Sequence, residues 1–251
     1  MADPDFIFQG PTAHTHIERF RRYLSLPDVE EVILSIAFVN EEGVRLVEEA
    51  LRPFADKTVV FSGIRNEITS IQGLARLLNL GVTLYVVDTG ARSIVFHPKI
   101  YLVKAQAEAG MLAGSANLTL GGLNNNVEAS LALEMDLSNQ KDKDFVEMVK
   151  SQLMVLPESY PDNVHQVSNE VELESLRDDG LLLDEAEALP PRPVTQKADP
   201  DRDVVPRIRL APTVAQRAVR RTRARVVPAQ PTEQAPKPVT TIPTNLELLW
   251  E

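Results

Sequence analysis

Ile94-Val95-Phe96-His97-Pro98-Lys99-Ile100-Tyr101-Leu102-Val103 places a histidine and a lysine two residues apart inside an otherwise apolar run. Read as one extended strand, the run presents His97 and Lys99 on the same face, because side chains alternate along a strand. Taken alone, the pair equally suits a satisfied core histidine beside a chance edge lysine. The downstream residues decide. After a short turn from Ala105 to Ala109, Met111-Leu112-Ala113 reads as a returning strand that delivers Gly114-Ser115-Ala116-Asn117-Leu118-Thr119. Gly114 permits a tight backbone, and Ser115 can cap the turn that follows. Glu128 then opens another apolar run, Ala129 to Leu133. The set comprises a histidine, a lysine, a hydroxyl, an amide and a carboxylate. Phosphodiester chemistry without a metal needs such groups: Lys99, Ser115 and Asn117 can hold phosphate oxygens, and His97 can attack phosphorus or donate a proton.

Outward from this hairpin, strands and helices alternate. Phe6-Ile7-Phe8 reads as a short strand, and Thr15 to Leu26 as a helix with Ile17, Phe20, Tyr23 and Leu24 on one side. Val32 to Val39 is a continuous apolar strand of the kind buried on both faces. Glu41 to Phe54 is an amphipathic helix with Val44, Leu46, Val47 and Leu51 inward. Thr58 to Phe61 is a strand, Ser70 to Leu80 a helix stopped by Gly81, and Val82 to Val87 a strand. The strand after Glu128 is followed by a helix from Lys141 to Leu153. This alternation predicts an α/β layered domain with a largely parallel central sheet, antiparallel around the motif, ending near Leu156.

Together, His97-x-Lys99, Gly114-Ser115-x-Asn117 and Glu128 resemble the signature of the phospholipase D superfamily, strongly from Phe96 to Glu128 and in element order from Ile7 to Leu156. The resemblance implies a layered α/β/α phospholipase-D-like domain with a mixed central sheet. It also implies a cofactor-free phosphodiesterase in which His97 forms a phosphohistidine and Glu128 orients the imidazole. Lipid-cleaving members usually carry an acid where this chain has Lys104, a departure that points to the single-motif endonucleases and restriction enzymes. The other histidines, His14, His16 and His165, have no lysine two residues on. A single motif in a two-histidine mechanism implies a homodimer with the active site at its interface. The substrate implied is DNA or RNA, in restriction or phage defence. Two other readings stay open: a phospholipid or other phosphodiester hydrolase, and a non-catalytic or partner-gated module of a defence or repair complex.

The composition bounds this reading. The 251 residues carry a net charge of -10 and are 43% hydrophobic, which supplies a core but argues against binding DNA through overall charge. There is no cysteine, so no disulfide and no zinc-thiolate site. Met1-Ala2-Asp3-Pro4-Asp5-Phe6 lacks the marks of a secretory signal, and no apolar run is long enough to span a membrane. The expectation is a cytoplasmic protein with no membrane partner.

After residue 156 the character changes. Residues 157–189 read as an acidic connector, helical from Val171 to Glu187 and packed on the domain or on a partner. Residues 190–245 are rich in proline and arginine and read as a disordered linker; residues 246–251 form a terminal apolar segment that could engage a protein partner. Arg217, Arg220, Arg221, Arg223 and Arg225 form a basic cluster, with Arg220, Arg221 and Arg223 candidates for substrate contact. Arg65 and Asn66 fall where open α/β sheets place ligand loops and are further candidates. His14-x-His16 has no acidic or thiol partner at ligand spacing and reads as a surface or capping pair, not a metal site. Gly121-Gly122 with Asn124-Asn125-Asn126 reads as a polar turn leading to Glu128.

Overall fold

The computed structural model describes residues 2–65, 68–187 and 210–211. The chain opens with β1 (Asp3–Gln9), α1 (His16–Leu24), β2 (Val29–Ile36) and α2 (Glu41–Leu51), which runs into a 3₁₀ turn (Arg52–Lys57). Next come β3 (Thr58–Gly63), α3 (Ile71–Leu80) and β4 (Thr83–Val87), then the hairpin of β5 (Lys99–Ala105) and β6 (Glu108–Gly114). A π-helical turn (Gly121–Asn125) precedes β7 (Glu128–Asp136) and α4 (Gln140–Met154). Each helix start has a chemical cause. Thr15 caps α1 in a reciprocal box with Glu18, Asn40 caps α2 and Ser70 caps α3, each accepting a backbone N–H that the helix itself cannot satisfy. Gly81, at a φ of 95°, ends α3 in the left-handed conformation that a side chain would oppose.

The strands form one mixed sheet in the order β1-β7-β6-β5-β2-β3-β4-β8, the last being Val164–Val167. Parallel pairing is confined to β2, β3 and β4, and every other neighbour runs antiparallel. The expectation of a largely parallel sheet is therefore corrected. Helices α2 and α3 carry the parallel crossovers from β2 to β3 and from β3 to β4, whereas β5 and β6 are joined by the short Gln106-Ala107 turn and the loop from β6 returns the chain antiparallel as β7. Phe20, Val47 and Leu74 pack from α1, α2 and α3 on one sheet face, together with Leu34, Val60 and Tyr101; Val146 and Leu153 of α4 cluster with Ile33, Phe61 and Leu102 of the other. Each such side chain contributes about 1.5–3 kcal/mol on burial.

The layers also draw on residues after Leu156. A short helix, α5 (Leu156–Ser159), leads to β8, which pairs with β4. The acidic stretch forms α6 (Glu170–Asp178), seated against α3 through buried Leu173. Leu183 then bridges Ser70, and the Glu185 carboxylate accepts the Glu41 N–H at 2.9 Å. The stretch thus packs on the domain itself. Farther on, Ala211 N–H donates to the Gly10 carbonyl at 2.8 Å, returning the chain to the end of β1. The linker and terminal-segment readings otherwise fall outside the described residues. Among those residues no helix is long and apolar enough to cross a membrane.

Candidate active site

The ends of β2 and β6 and the starts of β5 and β7 meet at one end of the sheet, and the motif residues gather there. His97 precedes β5 instead of lying within it, and Ile94 and Val95 are exposed, so the strand expected over residues 94–98 is absent. Pro98 explains part of this: it has no N–H for a ladder, while its carbonyl accepts the Ala37 N–H at 2.9 Å. The shared orientation of His97 and Lys99 survives the loss of the strand. Lys99 Nζ lies 2.6 and 2.8 Å from the two ring nitrogens of His97 and donates to the His97 carbonyl at 3.1 Å.

Lys99 is buried at 7% exposure while His97 is exposed. Loss of water lowers the Lys99 pKa from its usual value, and the nearby Glu128 charge opposes that fall. Desolvation, and then the adjacent Lys99 charge, lowers the His97 pKa. A neutral imidazole with a lone pair therefore dominates at neutral pH, as a nucleophile requires. The Phe38 ring meets the imidazole edge-on, with centroids 5.4 Å apart, and lies 5.7 Å from Lys99 Nζ.

The second half of the motif is held by backbone pairing. Gly114 lies opposite Ser130, and a Cβ at Gly114 would come within 2.2 Å of the Ser130 hydroxyl, so only glycine fits. Ser115 donates its hydroxyl to the Glu128 carboxylate and accepts the Ala129 N–H at 2.9 Å. Asn126 donates to the other Glu128 oxygen at 3.2 Å. Leu118 bridges Val39, and Leu118 N–H donates to the Phe38 carbonyl at 3.1 Å, zipping the loop beside the chain leaving β2. Asn117 Oδ1 accepts the Phe38 N–H at 3.2 Å, and the amide NH₂ has no hydrogen-bond partner among the described residues. Beneath them, buried Tyr101 donates to the Ala116 carbonyl at 3.1 Å, and burial first, then Glu128, raises its pKa well above the usual phenol value.

Glu128 thus serves Ser115 and Asn126, and the hydrogen bond that would orient His97 through Glu128 is not made within this chain. Lys104 stands at the far end of β5, about 17 Å along the strand, paired with Glu30 and Glu147. Arg65, with a φ of 61°, follows β3 and forms a two-pronged ion pair with Asp88 (2.5 and 2.7 Å) that raises the guanidinium pKa and lowers that of the carboxyl. Asn66, Arg220, Arg221 and Arg223 lie outside the described residues. His14 is exposed as expected, but His16 is fully buried, which corrects its surface reading; among the described residues no cluster of acidic and histidine side chains could hold a metal. Phe38 escapes a sequence reading because it sits inside an apolar run that scans as core.

No protein-family model and no curated protein matches the chain. Among solved structures it is similar to NucT from Helicobacter pylori, with 14% identity and a TM-score of 0.47 over 63% of this chain and 98% of that one. It is also similar to Nuc from Salmonella typhimurium, described as a phospholipase D family member, with 12% identity and a TM-score of 0.45 over 66% and 100% of the two chains. A yeast tyrosyl-DNA phosphodiesterase mutant is similar at 15% identity and a TM-score of 0.36, over 53% of this chain and 31% of its own.

Proposed function

We propose that this chain is a metal-independent phosphodiesterase of the phospholipase D type, acting as a DNA endonuclease in restriction or phage defence. The observation that supports it most is the contact of Lys99 with the His97 ring at the sheet end that also carries Ser115, Asn117 and Glu128. A lone pair of His97 attacks phosphorus, the P–N bond forms and the P–O bond to the leaving group breaks. A proton from His97 of the partner subunit passes to the departing oxygen. Water then attacks the phosphohistidine, gives its proton to the partner's His97, and breaks the P–N bond. Lys99, Ser115 and the Asn117 NH₂ group stabilise charge on the transferring phosphoryl group.

We assign the second histidine to another copy of the chain, because His97 alone carries the motif lysine two residues on. His16 is occupied by Gln9 and Ser130, and His165 sits on β8 with its ring 3.1 Å from the Asp162 carbonyl. A homodimer with the active site at its interface supplies it. With a net charge of -10, the phosphate backbone needs a local basic patch, a role we assign to the arginine cluster from Arg217 to Arg225. One observation favours a different diester: an apolar cleft of about 300 Å³ beside Phe96, lined also by Ile94, Leu156 and Tyr160, suits a lipid or aromatic leaving group.

The test is cleavage of plasmid and single-stranded DNA in excess EDTA, with His97→Ala beside the parent protein. Cleavage by the parent alone supports the proposal. An absolute Mg²⁺ requirement with His97 dispensable sinks it, and headgroup release from phospholipid vesicles without DNA cleavage moves the substrate to lipid.

A further inference from the structure

A buried polar chain lies directly behind Glu128. Gln9, on the strand opposite, is the cross-strand partner of Glu128 and is fully buried. Its Oε1 accepts the His16 backbone N–H at 3.0 Å, and its Nε2 donates to the carbonyls of Gly122, Asn126 and Gly121 at 3.0, 3.2 and 3.3 Å. These partners settle the amide orientation, because a backbone N–H only donates and a carbonyl only accepts. The consequence runs onward. His16 Nδ1, 3.0 Å from the same Oε1, must carry the hydrogen, so Nε2 is the lone-pair nitrogen and accepts the Ser130 hydroxyl at 2.7 Å. His16 is fully buried, and burial lowers its pKa to about 4, which keeps it in this neutral form.

The chain therefore grips β7 on both sides of Glu128. On one side Gln9 closes the Gly121–Asn125 turn and fixes Asn126, whose side chain holds Glu128 Oε1. On the other, His16 holds Ser130, which packs against Gly114 just before Ser115. We infer that Gln9 and His16 are positioning residues that set the Glu128–Ser115 pair for phosphoryl transfer, an inference that rests on the phosphodiesterase reading above. Neither side chain touches the substrate. Their effect passes through Asn126 and Ser130 to Glu128.

The experiment is turnover of bis(p-nitrophenyl) phosphate in EDTA by the intact protein and by Gln9→Met, each with and without Glu128→Gln. Methionine keeps the volume of glutamine and removes both polar ends. Gln9→Met is expected to lower kcat about tenfold with KM within about twofold, and to cost less than about twofold once Glu128 is already glutamine, because residues acting through one group are not additive. Ser130→Ala, which removes one hydroxyl, is expected to lower kcat about threefold with the same dependence on Glu128. Equal losses in both backgrounds, or no loss in either, overturn the inference. The ¹⁵N shifts of His16 provide a readout without turnover: a neutral ring protonated on Nδ1 at pH 6 is expected, and a ring protonated on Nε2 overturns it. Failure of the parent protein to turn over the diester overturns the phosphodiesterase reading and this inference with it. Turnover unaltered by Gln9→Met overturns this inference alone.

Discussion

His97 and His16 serve the same end of the sheet in opposite surroundings. His97 is exposed, its ring approached by a buried ammonium and the edge of Phe38. His16 has no exposed surface, and both ring nitrogens are taken by Gln9 and Ser130. Both pKa values are lowered by burial, but only His97 also meets a cation. A depressed histidine pKa is thus no mark of catalysis by itself. The distinguishing feature is a ring nitrogen that a substrate can reach.

The largest effect expected from breaking this contrast is on turnover. Under the proposed mechanism, His97→Ala should lower phosphodiester cleavage in EDTA by about 10⁴-fold or more, since that mechanism assigns His97 both the nucleophile and the general-acid roles. A residual rate within tenfold of the parent would remove His97 from the reaction.

The buried histidine should also affect stability. His16 has a folded pKa of about 4 against an ordinary 6.5, so between these values the folded state binds fewer protons than the unfolded one. Falling pH in that window favours unfolding. His16 should contribute about 1.4 kcal/mol of loss per pH unit and about 3 kcal/mol in total. Denaturant titrations at pH 6.5, 5.5 and 5 measure this, and the slope should persist in His97→Ala. A flat profile would show that His16 titrates normally.

A smaller effect sharpens the comparison at His97. Lys99→Met removes the second cause of the depressed value, so the His97 midpoint followed by NMR should rise toward 6.5 while His16 stays neutral through pH 6. The smallest effect is expected at Lys104, whose ion pairs with Glu30 and Glu147 lie at the protein surface. Lys104→Ala should change stability by about 0–1 kcal/mol and leave cleavage intact. A marked loss of cleavage would mean that charge at the far end of β5 reaches the site.

The amino-acid order by itself determined the local elements and the five motif residues. Helices such as Ile71–Leu80 carry their caps within a few residues, and His97-x-Lys99 and Gly114-Ser115-x-Asn117 owe their meaning to short spacing. Tertiary structure decided what depends on distant partners. The strand expected at His97 yields to a loop, where Pro98 has no N–H to give a ladder, and the sheet is mostly antiparallel because only β2, β3 and β4 are joined by helical crossovers. The acidic stretch joins the α/β layer through Leu173 and Glu185, contacts that its charge pattern does not encode. His16 reads as a surface or capping residue in a line of sequence, and it becomes a buried neutral acceptor only when β1 and β7 bring Gln9 and Ser130 to its two nitrogens. Hydrogen bonds need groups within about 3 Å, and only the folded chain brings residues that far apart in sequence so close.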